Sequence, residues 1–440
     1  MLYKKFIFAI MLFDTSLRRL TTQLRFRFLL RWGIIAIVVG SLSGSASAVF
    51  LLLLKWAKTT RESNHWLLFL LPLGGFLVAL SYSLWGKSVN KGNNLIVEQV
   101  QKPSAVISLL MAPLVLIGTI ITHVFGGSAG REGTAIQMGS SIADQLNFVV
   151  KFSDEERKIL LMCGMAAGFS SLFGTPLAGA VFALEVVFVG KLLYEGLIPV
   201  LLSAYIAYFV CDFWPVEHTH YTIGFIPELS FINLCWIALA AIVFGVTSRV
   251  FSSVLFWLSM QFKKYISSFL LRPVIGGVLV VLLIFLFGFK YSGLGLDTIV
   301  ASFSIEQGFE VFAAKIAVTV LTLSAGFKGG EVTPLFFIGA TLGSALSFVI
   351  PLPIGLLAGV GFVAVFSGAT NSPVACTLMG LELFTPGSFG FSLPLYLVLG
   401  CFVSYYSSGH TGIYSSQIIT RSKYGFSGKR KGKRLSELMK

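Results

Sequence analysis

Gly126-Gly-Ser-Ala-Gly130-Arg-Glu-Gly-Thr134-Ala-Ile-Gln-Met-Gly139 has a counterpart 200 residues later: Gly326-Phe-Lys-Gly-Gly330-Glu-Val-Thr-Pro334-Leu-Phe-Phe-Ile-Gly339. Three glycines coincide. A second pair of stretches lies further on, at an offset of 197. Thr175-Pro176-Leu-Ala178, with Glu185 nine residues after its proline, matches Ser372-Pro373-Val-Ala375, with Glu382 nine residues after its own. Glycine matches alone could arise by chance in a glycine-rich chain. The shared Pro-to-Glu spacing argues against chance, because acidic residues are rare here. The chain is therefore read as two repeats.

The 440 residues are 55% hydrophobic and 12% charged, and the mean hydropathy is +0.85. These values exclude a soluble globular enzyme and a disordered chain. They leave an all-α polytopic membrane protein. Forty-five glycines suggest close helix packing and broken or tilted helices rather than a bundle of straight ones. The five cysteines are scattered with no CxxC, and neither a cofactor nor a metal is expected.

The net charge of +14 sits at the ends of the chain. Residues 1–31 carry +6, residues 421–440 carry +7, and the 389 residues between them carry +1. Two basic tails around a neutral apolar body fit the positive-inside rule. Both termini are placed in the cytoplasm, with an even number of crossings of the cell (inner) membrane. The tails can also contact anionic headgroups of the bilayer. Nucleic acid is not expected as a partner, since the basic residues form no recognisable nucleic-acid motif. The opening run Phe6–Phe13 is read as an amphipathic lead-in rather than a signal peptide.

Apolar runs near 33–57, 66–86, 104–125, 192–214, 231–258, 271–290 and 309–325 are each long enough to span a bilayer. Shorter pieces cut by Gly and Pro lie between them. The division expected is a basic segment 1–31, a membrane domain 32–418 and a basic tail 419–440. Within the membrane domain, repeat one covers about 66–214 and repeat two about 271–418. Halves that each cross an odd number of times must be inverted, which agrees with termini on one side.

A charge inside a span is costly, so each one is a functional candidate. Gly130-Arg131-Glu132-Gly133-Thr134 opens a helix. Its glycines let backbone N–H groups converge, and the helix start adds partial positive charge, which makes an anion site. Glu132 can occupy that site as a carboxylate and leave it when protonated. The alternative is a buried Arg131–Glu132 pair. In repeat two, Gly330, Val332 and Thr333 can face the same anion. Thr333 can also be read as an ordinary helix cap, whereas Glu331 is out of place as one. Asn93, in Gly92-Asn93-Asn94, can donate its amide to an anion, although the tripeptide reads first as a turn. Glu185 and Glu382 are read as caps or backbone contacts at a repeat or dimer interface. The side chains of Arg131, Lys191 and Lys328 are read as snorkelling or pairing groups.

These motifs, together with Pro-Leu-Ala-Gly-x-x-Phe-x-x-Glu at 176–185, resemble the CLC chloride channel and transporter family over about residues 30–418. The resemblance implies a homodimer of inverted-repeat subunits, each with its own anion pathway. It implies that Glu132 gates and carries the proton, and that Tyr414 offers its hydroxyl to the central anion. Four positions depart from the chloride-type pattern. Asn93 replaces a serine, Thr134 replaces a proline, Val332 flanked by Glu331 and Thr333 replaces a phenylalanine, and Val186 replaces an inner glutamate. All four resemble the fluoride-exporting branch. The function so implied is fluoride/proton antiport, with fluoride and protons as substrates. Glu331 is taken as a second proton-carrying candidate in place of the residue lost at Val186. The alternatives are a chloride/proton antiporter or a passive anion channel of the same fold. A third reading, an intramembrane serine hydrolase, rests on Gly-x-Ser-x-Gly around Ser128 with His123 or His410 as base.

Overall fold

The computed structural model of the chain describes residues 2–386, 391–425 and 430–439, with side chains for 28–384, 391–425 and 430–439. The side chains of residues 1–27, most of the basic N-terminal segment, lie outside the described residues, as do Lys429 and Lys440. Two series of eight helices follow one another. The first is α1 (Leu2–Ser63), α2 (Leu71–Leu84), α3 (Asn93–Gln101), α4 (Met111–Val124), α5 (Glu132–Asp144), α6 (Asp154–Phe173), α7 (Pro176–Glu185) and α8 (Leu197–Asp212). The second is α9 (Phe231–Tyr265), α10 (Leu271–Phe287), α11 (Leu296–Ala301), α12 (Phe309–Ser324), α13 (Val332–Leu346), α14 (Ile354–Thr370), α15 (Pro373–Leu383) and α16 (Ser392–Ser407). A single turn, α17 (Leu435–Leu438), closes the chain.

Four short strands keep the same symmetry: β1 (Phe188–Val189), β2 (Tyr221–Ile223), β3 (Phe384–Pro386) and β4 (Ile418–Ile419). β1 pairs with β4 and β2 with β3, both in parallel. Each pair joins a strand of one series to a strand of the other. The fold is all-α, with inverted repeats and short, broken helices.

Several helix ends have a local cause. Ser153 and Glu156 form a reciprocal capping box at the start of α6, and Gly174, at φ +73°, ends that helix. Pro176 and Pro373 sit in the first turns of α7 and α15, where a missing N–H costs nothing. Three runs expected to span the bilayer form shorter helices. The run 104–125 yields only the 14 residues of α4, 271–290 the 17 of α10, and 309–325 the 16 of α12. Residues 102–110 are not helical, and Gly288 at φ +112° stops α10. Among the described residues, four helical segments are long and apolar enough to cross: Phe28–Ser63, His65–Leu84, Tyr194–Asp212 and Phe231–Tyr265.

Small residues let the short helices pack backbone to backbone. A Cβ on Gly164 would lie 2.5 Å from the Gly139 carbonyl oxygen, and Gly339 and Gly361 approach one another in the same way between α13 and α14. Stacked rings pack within each repeat, and Phe182 meets Phe366 across the two at 5.8 Å. Phe336 lies on Phe362 with centroids 4.0 Å apart, and Phe169 lies on Phe182 at 4.6 Å.

Candidate anion and proton site

α5 and α13 meet start to start. Gly130 N donates to Gly330 O at 2.5 Å, and Gly330 N donates to Gly130 O at 2.8 Å. This antiparallel bridge joins the two aligned glycines. The approach needs residues without a Cβ. A methyl on Gly330 would sit 2.8 Å from Gly133 N, and one on Gly133 would sit 2.6 Å from Asn93 Nδ2.

The fully buried Glu132 carboxylate lies in this junction. Its Oε2 accepts from Arg131 N at 2.9 Å and from Thr333 N at 3.1 Å. Its Oε1 accepts the Thr333 hydroxyl proton. A carboxylate thus takes two backbone N–H groups and one O–H from both repeats, at two helix starts. Charge-assisted bonds to N–H groups at helix starts are how proteins hold anions.

The other expected residues fall as follows. Gly130, Arg131, Gly133, Gly330, Val332, Thr333 and Asn93 come together around Glu132. Asn93 lies in the first turn of α3 rather than in the turn expected for it, because Gly92 takes φ +57° and the helix begins one residue later. Thr333 is not the cap of α13, as Glu331 holds that position. The Arg131–Glu132 pair exists, but Nε stands 3.9 Å from Oε1 and makes no hydrogen bond. Among the described residues, Glu331 has a buried Oε2 without a hydrogen-bond partner, and the hydroxyl of the buried Tyr414 has none either. The Tyr414 ring meets Phe182 edge-on at 6.4 Å. Both Glu132 and Glu331 lie within electrostatic reach of Tyr414. Val186 is buried, and its carbonyl accepts from Gln417 Nε2 at 2.6 Å.

Glu185 and Glu382 cap each other's repeat. Glu382 accepts from Leu177 N (2.9 Å) and Ala178 N (2.8 Å) at the start of α7. Glu185 accepts from Val374 N (3.2 Å) and Ala375 N (2.9 Å) at the start of α15. Lys328 donates to Asn90 Oδ1 and lies 3.9 Å over the Tyr82 ring, while Lys191 lies over Phe188. The described residues do not bring the hydrolase constellation together. Ser128 bonds Thr319 at 2.8 Å, and neither His123 nor His410 bonds it.

Sequence reasoning missed Lys315. It is fully buried in α12, donates to Tyr291 O (3.1 Å) and Gly293 O (2.8 Å), and faces the Phe337 ring. It fastens a loop that walls a cavity of about 170 Å³ lined by Arg61, Lys58 and Leu294. A neighbouring cavity of about 250 Å³, sharing Lys58 and Leu294, reaches Arg131. A lone lysine in the apolar run 309–325 was the available signal.

A polytopic inverted-repeat protein, with a carboxylate held at converging helix starts, belongs to the class of membrane ion-transport proteins. Residues 74–409 match the family model described as voltage gated chloride channel. The chain belongs to that family, the CLC proteins. It is 45% identical over 404 residues to a Pseudomonas syringae pathovar tomato protein named chloride/fluoride channel protein, covering 90% of this chain and 88% of that one. It resembles the crystal structure of a CLC-type fluoride/proton antiporter with a TM-score of 0.84 and 35% identity, covering 88% of this chain and 98% of the other. A slow cyanobacterial Cl−/H+ antiporter shares the fold at a TM-score of 0.72 and 23% identity, over 86% of this chain and 94% of the other.

Proposed function

We propose that the chain is a fluoride/proton antiporter that exports fluoride from the cytoplasm, driven by the proton gradient. One observation carries this reading: the Glu132 carboxylate sits where an anion would, bound by Arg131 N, Thr333 N and the Thr333 hydroxyl. Protonation removes the charge that holds it there. An anion can then take the N–H groups while the proton rides on Glu132, so that the two exchange.

The choice of fluoride rests on the surroundings. A small, strongly hydrated anion must be repaid for dehydration by close donors. The Thr333 and Tyr414 hydroxyls, the Asn93 amide and the N–H groups of Arg131, Gly133, Val332 and Thr333 are such donors, whereas Gly130 and Gly330 spend their own N–H groups on each other's carbonyls and serve by letting the backbones approach. The relatives named for fluoride support the same choice. HF crosses membranes neutral and ionises inside, so export needs a driving force, which a proton gradient supplies. Glu331 is the titratable step between the cytoplasm and Glu132, since Val186 cannot titrate.

The protein works in the inner membrane as a homodimer with both tails cytoplasmic. The basic tails support that orientation, and exposed apolar side chains on α8 and α16 support the dimer, among them Leu202, Phe209, Leu395 and Tyr406. Purified protein in liposomes tests the function. Fluoride efflux should exceed chloride efflux, and external pH should rise as fluoride leaves. Efflux without proton movement would make it a channel, and equal rates for the two halides would remove the selectivity.

A further inference from the structure

We infer that the C-terminal tail is a strap that positions the Tyr414 segment, with Leu435 and Arg434 as its positioning residues. The inference rests on the proposed role of Tyr414 as an anion ligand.

Residues 432–436 run antiparallel along 415–419, which begin one residue after Tyr414. Gly432 N donates to Ile419 O (2.8 Å) and Ile419 N to Lys433 O (3.0 Å). Leu435 N donates to Gln417 O (3.0 Å) and Ser436 N to Ser415 O (2.9 Å). Leu435 is fully buried in a small apolar cluster with Val189, Tyr405 and Ile419. It also lies against Gly412, where a Cβ would come within 3.0 Å of Leu435 Cδ1. The tail therefore grips the segment on both sides of Tyr414.

α3 holds the segment's other edge. Asn94 Oδ1 accepts from Ser416 N at 2.9 Å, and Gln101 Nε2 donates to Ser416 O at 2.9 Å. Glu98 ties both edges together. Its Oε1 accepts the Ser416 hydroxyl proton at 3.0 Å and stands 3.5 Å from Arg434 Nη1, while Oε2 meets Lys91 at 2.8 Å. Asn93 begins this same helix, so tail, segment and α3 form one stack carrying two candidate anion donors.

Other bonds also anchor the segment, Ile413 N donating to Ala369 O (2.9 Å) and Gln417 Nε2 donating to Val186 O (2.6 Å) and Thr370 O (2.8 Å), but none of them holds the Tyr414 hydroxyl itself. It has no hydrogen-bond partner among the described residues, and its segment has no helix to stiffen it. Releasing the tail frees four backbone bonds along 415–419 and lets the hydroxyl drift. A desolvated small anion is sensitive to such drift, because hydrogen bonds weaken steeply with distance and angle.

The test uses the full-length chain in liposomes, with initial anion efflux measured against internal anion concentration. Leu435→Asp should raise the half-saturating concentration about tenfold and change the maximal rate less than twofold, and Leu435→Met should restore the wild-type value. Arg434→Ala should raise it about threefold, with Arg434→Lys near wild type. If Leu435→Asp does not fold, Arg434→Ala decides alone. In a Tyr414→Phe background neither substitution should add more than twofold, since a strap acting through the hydroxyl has nothing left to position. An unchanged half-saturation in the single variants, or an undiminished loss in the Tyr414→Phe background, overturns the strap. Wild-type protein that moves chloride as fast as fluoride, or moves anions without protons, overturns the function instead. The same ratios on whichever anion moves still decide the strap.

Discussion

Glu132 accepts three hydrogen bonds on a fully buried carboxylate, and two come from a residue 201 positions away. Gln at this position keeps the shape and loses the titratable proton. Glu132→Gln should abolish fluoride-driven proton movement while the protein still elutes as the wild type does. Proton uptake at the wild-type rate would take Glu132 out of the mechanism. Glu331→Gln should also abolish coupling, whereas Val186→Ala should leave it intact. Coupled exchange surviving in Glu331→Gln would leave water as the carrier on the cytoplasmic side. Thr333→Val deletes one O–H at similar volume, and Asn93→Ser restores the chloride-type residue. The first removes a donor worth about 1–3 kcal/mol to a desolvated anion, or roughly ten- to a hundredfold in affinity, and the second exchanges an amide donor for a shorter hydroxyl. Fluoride should lose more than chloride in competition measurements. Equal losses would mean that these side chains do not discriminate.

The reciprocal caps on α7 and α15 hold the two repeats together at two short helices. Each carboxylate satisfies two N–H groups that a short buried helix start would otherwise leave unpaired. Glu382→Ala should cost about 2–4 kcal/mol, from two charge-assisted bonds at roughly 1–2 kcal/mol each. Melting in detergent checks this, and a melting temperature within a degree of wild type would deny the cap its role. At the start of α6 the reasoning concerns pH. The Ser153 backbone N–H, and then Arg31 at 2.5 Å, hold the Glu156 carboxyl below its ordinary value against the opposing effect of partial burial. A carboxyl depressed in the folded state adds stability above its unfolded pKa of about 4.3 and loses it as pH falls through the lower folded value. Wild type and Glu156→Gln should therefore melt apart at pH 6 and converge in strong acid. A gap that persists or widens on acidification would contradict this.

Across the whole molecule, inversion sends α5 and α13 inward from opposite faces, so that their starts meet near the middle. The tail side is marked by Arg31, Glu156 and the Glu98–Arg434 contact, and the opposite side by the Arg61 and Lys58 cavity. Cytoplasmic tails predict that a C-terminal tag is cleaved by protease in inside-out vesicles and protected in intact spheroplasts. Protection in both preparations, or the reverse pattern, would overturn the orientation. The aligned glycines made the repeat legible, and the Pro-to-Glu spacing made its second half legible. Glu132 stood out because a charge in an apolar run has few reasons to be there. Reciprocal capping by Glu185 and Glu382 was foreseen only as a choice between interfaces. Lys315 was overlooked because its partners are carbonyls, which leave no trace in side-chain spacing.

Hydropathy, the rarity of internal charge and the places where Gly and Pro break the runs are local quantities. From them alone the sequence determined the class, the repeat and the helix starts around which the site forms. Which side chain meets which was decided by the tertiary structure. A two-fold relation between inverted halves brings together residues about 200 apart, and spacing along the chain carries no information about that distance. The same folding moved Asn93 from a turn into a helix start and, of the two readings of Thr333, made it a donor rather than a cap. Both placements follow from a backbone path set by packing against the other repeat, where a Cβ at Gly133 or Gly330 would collide.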